Sequence, residues 1–247
     1  MIYLYKESFI DLLNLINYLL KNKIQPENIK NEFYLKTLLE ETYYPFIEED
    51  NGLCDRMINK IGIDSFTIIY YVFLSNVNDK ELLIYKFLLN SLKYKDKIKY
   101  MRNIDCVSKC LKISRYVKHE AHKFKGFVRF SELNNCVLYS EIEPENNIIL
   151  ILSNHFKSRL KNEYWIIKDN KRNVISIYDK NNFYILDGNN IDISILKKKD
   201  CYEDMWKAFY NTIGIKERKN DKCRMNFMPK KYWKYIVEVN DNEKSDM

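Results

Sequence analysis

The stretch 126–187, GFVRFSELNNCVLYSEIEPENNIILILSNHFKSRLKNEYWIIKDNKRNVISIYDKNNFYILD, decides the fold. It holds six short runs of β-branched, aliphatic or aromatic residues: FVRF (127–130), CVLYSEI (136–142), IILILS (148–153), YWIIKD (164–169), VISIY (174–178) and FYIL (183–186). Asn, Asp, Glu-Pro and Gly separate them, and these residues favour turns, so the pattern predicts a mostly antiparallel sheet. In FVRF, alternation would set Val128 and Phe130 on one face and Phe127 and Arg129 on the other. Asn154 follows the third run as a candidate helix cap, which predicts a short helix carrying His155 and Arg159.

Toward the N-terminus the period changes to that of helices. Ile2–Tyr5 suits a short strand, and Ser8 with Asp11 resembles a capping box ahead of Phe9, Leu12, Leu13, Ile16, Leu19 and Leu20. Further helices are predicted over about 53–60, 64–75, 78–93 and 102–123, the third of these capped by Asn78 with Glu81. After Asp187-Gly188 the chain returns to helix, with Asp200 and Glu203 bracketing its start. The expected fold is therefore α+β. A mainly helical part (1–125, with a short first strand) precedes a part (126–247) made of the sheet and C-terminal helices, as two parts or one integrated domain.

Composition bounds the function. The 247 residues are 46% hydrophobic, enough for a sizeable core, and five Gly with four Pro leave little room for linkers. No apolar run reaches the roughly 18 residues of a membrane span, and the start lacks a signal-peptide pattern, so no membrane association and a cytoplasmic location are expected. Six scattered cysteines then read as reduced, mostly buried apolar residues. The net charge of +7 is concentrated: residues 93–129 hold 12 Lys and Arg against 3 Asp and Glu, a balance of +9. Such a block is the footprint expected for a phosphate-bearing partner, although a solvated helix face is the commoner reason for a charge run.

Few catalytic motifs are present. Cys106 and Cys110 make the first part of a C-x3-C-x2-C iron–sulfur loop, but Ile113 stands at its third position; two cysteines one turn apart on the inner face of a helix fit better. No phosphate-binding glycine loop, zinc motif or G-x-S-x-G elbow occurs, and no metal or other cofactor is expected. His119, His122 and His155 are the only histidines. A second basic concentration, Lys216 to Lys234, interleaves with Tyr232, Trp233 and Tyr235, the pairing of cations with aromatic faces that suits exposed bases. Terminal helix packing explains the aromatics equally well.

Four strings, EAHKFKGFVRF (120–130), HFKSRLKNEYWIIKDNKR (155–172), EDMWKAFYNTIGIKERKN (203–220) and MPKKYW (228–233), resemble a bacterial family assigned to DNA metabolism and repair. Its genes neighbour a radical S-adenosylmethionine protein, and a related domain is fused to uracil-DNA-glycosylase-like domains. The resemblance marks Glu120, His122, Lys125, Gly126, Arg129 and Phe130, then His155, Phe156, Arg159, Trp165, Asp169 and Arg172. Toward the C-terminus it marks Trp206, Arg218, Asn220, Met228, Pro229, Tyr232 and Trp233. Arg224 departs from the Gln common in relatives.

The resemblance implies a DNA-binding accessory protein in repair or base modification, with DNA or another nucleic acid and the radical S-adenosylmethionine protein as partners. Lys123, Lys125, Arg129, Arg159, Arg172, Arg218, Lys230, Lys231, Tyr232 and Trp233 are the expected nucleic-acid contacts. Two other classes stay open. One is a nucleobase- or nucleotide-processing enzyme with His122, His155 and Asp169 as acid–base groups and Glu120 beside them; the other is an adaptor that binds only protein. Arg129 has a structural alternative as well, an ion pair with Glu141 or Asp169.

Overall fold

The computed structural model describes residues 1–37, 39–47, 50, 52–133, 136–190, 205, 212 and 220–236, and these form a mixed α/β structure. Two compact units divide the chain, Met1–His119 and Glu120–Met247. Seven α-helices and two sheets lie among the described residues. None of the helices is long and apolar enough to cross a membrane.

The first unit opens with strand β1 (Ile2–Tyr5), followed by α1 (Phe9–Lys21), β2 (Asn28–Asn31) and β3 (Thr42–Tyr43). Ser8 caps α1 by accepting the Asp11 backbone N–H at 3.1 Å, as its spacing predicts. The three strands form a small sheet in the order β2-β1-β3 with both pairings parallel, an element beyond the single strand that the sequence pattern predicts. Helices α2 (Leu53–Ile61) and α3 (Ile63–Leu74) meet at Gly62, whose φ of 81° lets the chain turn between them.

Helix α4 (Lys80–Tyr94) starts one residue later than the Asn78 cap would place it. Asp79 holds the cap position with φ 56°, and its carboxylate is turned to Asn28 Nδ2 (2.9 Å) and Lys30 Nζ (2.6 Å) on β2. Glu81, nearly buried, accepts from the Tyr5 hydroxyl at 3.2 Å, and burial together with Glu81 pushes that phenol far above its ordinary range. A 3-10 segment (Lys95–Tyr100) leads to α5 (Asp105–Phe127), which begins in this unit. Cys106 and Cys110 lie in its apolar core with Leu13, Ile16, Phe87 and Leu88, on the inner helix face, and burial pushes both thiols up. The cysteines are otherwise mixed: Cys54 is half-buried, Cys136 and Cys223 are exposed, and Cys201 lies outside the described residues.

In the second unit, α5 runs on to Phe127, and residues 128–130 are irregular, so FVRF is not a strand. Phe127 ends the helix packed on Tyr232, and Phe130 beyond it is edge-on to Phe156, an arrangement that four residues cannot distinguish from strand alternation. Strands β4 (Ser131–Leu133), β5 (Val137–Ile142), β6 (Tyr164–Asp169), β7 (Val174–Tyr178) and β8 (Phe183–Asp187) form a sheet in sequence order. Three pairings are antiparallel, whereas β5–β6 is parallel, so the sheet is mixed.

The parallel pair exists because IILILS is helical. It opens α6 (Ile149–Arg159), the crossover that returns the chain to the starting edge of β5. The buried residues of α6 are Ile149, Leu152, Ser153 and Phe156, the i, i+3, i+4, i+7 set of one helix face. Asn154 is interior to α6 and donates to the Leu150 carbonyl at 3.0 Å instead of capping. Ser153 and Ser176 share a hydroxyl hydrogen bond of 2.7 Å that ties α6 to β7, and Trp165 stacks on Tyr178 at 5.1 Å. The helix after Asp200 predicted from the sequence lies outside the described residues, apart from Met205 and Thr212.

Helical packing of 148–153 has a mutational signature. Leu152→Ala is expected to lower unfolding stability by about 2–5 kcal/mol, with a clearly smaller loss for half-buried Leu150→Ala. Equal losses in denaturant melts would indicate strand alternation, which puts both side chains on one face.

Candidate nucleic-acid interface

The described residues expected to form the site fall into three groups, all within the second unit. The first is a buried polar network. Glu120, in the middle of α5 and 4% exposed, accepts the backbone N–H of Glu145 through Oε1 (2.9 Å). Its Oε2 accepts Asn146 N (2.9 Å) and Asn146 Nδ2 (2.6 Å). Arg172 grips the same loop by its carbonyls, donating from Nη1 to Pro144 O at 3.1 Å and from Nη2 to Glu145 O.

Asp169 at the end of β6 is fully buried and pairs with Arg172 Nη1 at 3.0 Å, while its Oδ1 accepts from Lys171 N and Arg172 N. Burial pushes its carboxyl above the ordinary value, and Arg172 pulls the other way. Glu120, Asp169 and Arg172 therefore serve as braces of the 144–146 loop. A side chain already holding two carbonyls and a carboxylate is poorly placed to take up phosphate, and both oxygens of Asp169 are already engaged by hydrogen bonds. The sequence reading missed the loop as their common partner: Glu-Pro-Glu-Asn carries a turn signal, and nothing in it marks the far side of the bonds.

The second group is cationic. Lys125 stands in the last turn of α5, and His155 and Arg159 stand on α6. His155 is half-buried, its ring is edge-on to Phe156 at 5.0 Å, and its Nε2 is shielded from solvent with no hydrogen-bond partner. Burial, then the charges of Lys125 and Arg159, hold this imidazole below its ordinary value. Both cations also sit where they complement a helix C-terminus. Arg129 is half-buried; its Nη1 donates to Gly126 O at 2.7 Å, closing the end of α5. His122 is exposed on α5.

The third group is the segment after α7 (Asp221–Phe227), a 3-10 turn over Lys230–Tyr235. Tyr232 is 7% exposed, edge-on to Phe124 at 5.2 Å and packed on Phe127 at 5.3 Å, which makes it a core residue and leaves no face for a base. Lys123 lies 6.0 Å from its ring centre. Trp233 is half-buried, donates from Nε1 to Met228 O at 2.8 Å and has Arg224 at 4.7 Å and Lys230 at 5.9 Å from its ring centre. Arg224, the departure from the family pattern, thus has a role as a cover for Trp233. Lys234 and Tyr235 bind Glu143, and Tyr235 also accepts from Asn170. Arg218 and Trp206 lie outside the described residues, as does the side chain of Lys231.

Two substitutions separate bracing from ligand binding. Arg172→Ala leaves Asp169 buried without its counter-charge and is expected to cost about 3–5 kcal/mol. Glu120→Gln sets an amide N–H against buried donors and is expected to cost about 1–3 kcal/mol. Chemical melts read both, and stability unchanged by either variant would assign these residues elsewhere.

Comparison with known proteins follows the same division of the chain. No curated protein and no solved structure matches it. The family model DUF4130, described as a domain of unknown function, matches residues 78–238, a span that holds every element of the network and both cationic groups. The braces, the histidine between two cations and the capped tryptophan are thus features of a chain that belongs to the DUF4130 family.

Proposed function

We propose that this protein is a nucleic-acid-binding accessory factor in DNA repair or base modification, acting beside a radical S-adenosylmethionine protein. The observation that carries the binding is the pair of cations, Lys125 and Arg159, bearing on the partly buried His155 from the ends of two helices. Cations at two helix ends that both act on one imidazole offer a phosphate group charge-assisted hydrogen bonds. The +9 balance of residues 93–129 supports a polyanion over an isolated phosphate. Ion pairs take up part of it, as Lys99 with Asp64 and Lys109 with Asp105. The partner protein and the link to repair rest on the resemblance of the four strings. The acid–base alternative draws no support from Asp169, whose carboxylate is occupied by Arg172 and two backbone N–H groups.

Binding of single- and double-stranded DNA should weaken with salt, and Lys125→Ala and Arg159→Ala should each reduce the slope of log K against log salt by about 1. Slopes unchanged in both variants would remove this cluster from the interface, and absence of binding at low salt would refute the function.

His155 gives a second readout. Because its folded pKa is below the unfolded value, the unfolded chain takes up the proton first. Stability is therefore full above about 6.5 and falls as pH drops from there toward the folded value. Bound phosphate cancels the field of the two cations, so NMR titration of the imidazole should show its pKa rising on oligonucleotide addition and in Lys125→Gln. A His155 that is indifferent to both would sink the assignment of Lys125 and Arg159 as its phosphate-binding neighbours.

A further inference from the structure

The carboxyl ends of β1 and β3 open onto a cavity of about 220 Å³ within the first unit, bounded on one side by α1. Its position follows from topology. The strands lie in the order β2-β1-β3, so the chain leaves β1 through α1 to one flank and later crosses to the other flank for β3. β1 is thus flanked by strands reached in opposite directions, and a crevice at such a switch point is the usual ligand position of open parallel sheets.

Three side chains of α1 line it, Asp11, Asn14 and Leu15; the two polar ones, Asp11 and Asn14, lie one helical turn apart and so on the same face. Asn14 is 5% exposed, and its Nδ2 has no hydrogen-bond partner. A buried amide donor left unmatched is costly and rare in folded proteins, which marks an acceptor still to be supplied. Asp11 Oδ2 is engaged by the Ser8 hydroxyl, which leaves Oδ1 to accept. At the mouth, Tyr44 is 47% exposed and Phe46 is 92% exposed, two aromatic rings beside the cavity.

We propose that this cavity binds a planar lactam heterocycle, a ring whose carbonyl takes the Asn14 amide and whose adjacent N–H is given to Asp11, with its face against Tyr44 or Phe46. The volume lies below the about 300–1,000 Å³ of drug-sized sites, which suits one or two rings. Lys6 and Asp11 line the cavity with opposite charges, and Asp11 already occupies the first turn of α1, where an anion would otherwise be favoured, so the ligand is neutral. This site stands on the first unit alone and is independent of the polyanion interface.

The test titrates the full-length protein, by NMR and calorimetry, with 2-pyridone, uracil and hypoxanthine as lactams and with pyridine and indole as rings lacking the carbonyl. Saturable binding of the lactams is expected, with the comparators weaker by about tenfold or more, since a buried donor is left unmatched by them. Asn14→Leu should weaken lactam binding about tenfold or more. Phe46→Ala should weaken it about threefold to tenfold, and its exposed position leaves folding intact. Failure of every lactam to saturate, indole binding as well as uracil, or lactam affinity unaltered in Asn14→Leu each overturns the proposal. The probes carry no phosphate, so the result is separate from the fate of salt-dependent DNA binding.

Discussion

The second unit depends on one carboxylate. Glu120 holds two consecutive backbone N–H groups and an asparagine amide of the loop before α6, while Arg172 holds two carbonyls of the same loop and is itself neutralised by Asp169. Donors and acceptors of one short loop are thus satisfied by opposite charges from α5 and from the β6–β7 turn. Buried charges persist only when matched in this way. The arrangement fixes where α6 begins, and α6 in turn carries His155 and Arg159. The candidate interface is therefore positioned by residues that do not belong to it.

This division explains what was legible in the sequence. Signals carried by neighbouring residues were readable: the Ser8 cap, the first strand, the boundaries of α2 and α3, and four runs of the second sheet correspond to elements of the structure. Signals that depend on distant partners were not. IILILS reads as strand until Ser153 is seen against Ser176, and FVRF reads as strand until α5 is followed into it. The parallel β5–β6 pair follows from the first of these, so one hexapeptide read as strand altered the sheet's expected topology.

The candidate site was legible as a set of residues and not as a set of roles. Charged residues that brace a loop and charged residues that meet a ligand look alike in a single sequence. Burial separates them: Glu120 and Asp169 lie inside, His122 and Arg159 outside, and His155 between. Tyr232 shows the same limit for aromatics, since its two packing partners on α5 are more than a hundred residues away in sequence. Asn14 was hidden for another reason. An asparagine within an apolar helical stripe is unremarkable until the cavity behind it and the missing partner of its amide are visible.

The parallel pairing also sets the order in which the second sheet assembles. Partners in β6–β7 and β7–β8 are brought together by turns as short as Asp169 to Val174 and Tyr178 to Phe183, whereas Val137 must find Tyr164, a separation of 27 residues. Local hairpins close in microseconds, and longer loops cost more chain entropy before any contact rewards them. The β6–β8 meander is the natural nucleus, and β5 joins it after α6 has formed. Because the Glu120–Arg172 network spans that same crossover, it comes together late. It then acts as a latch that slows escape from the native state more than it speeds entry.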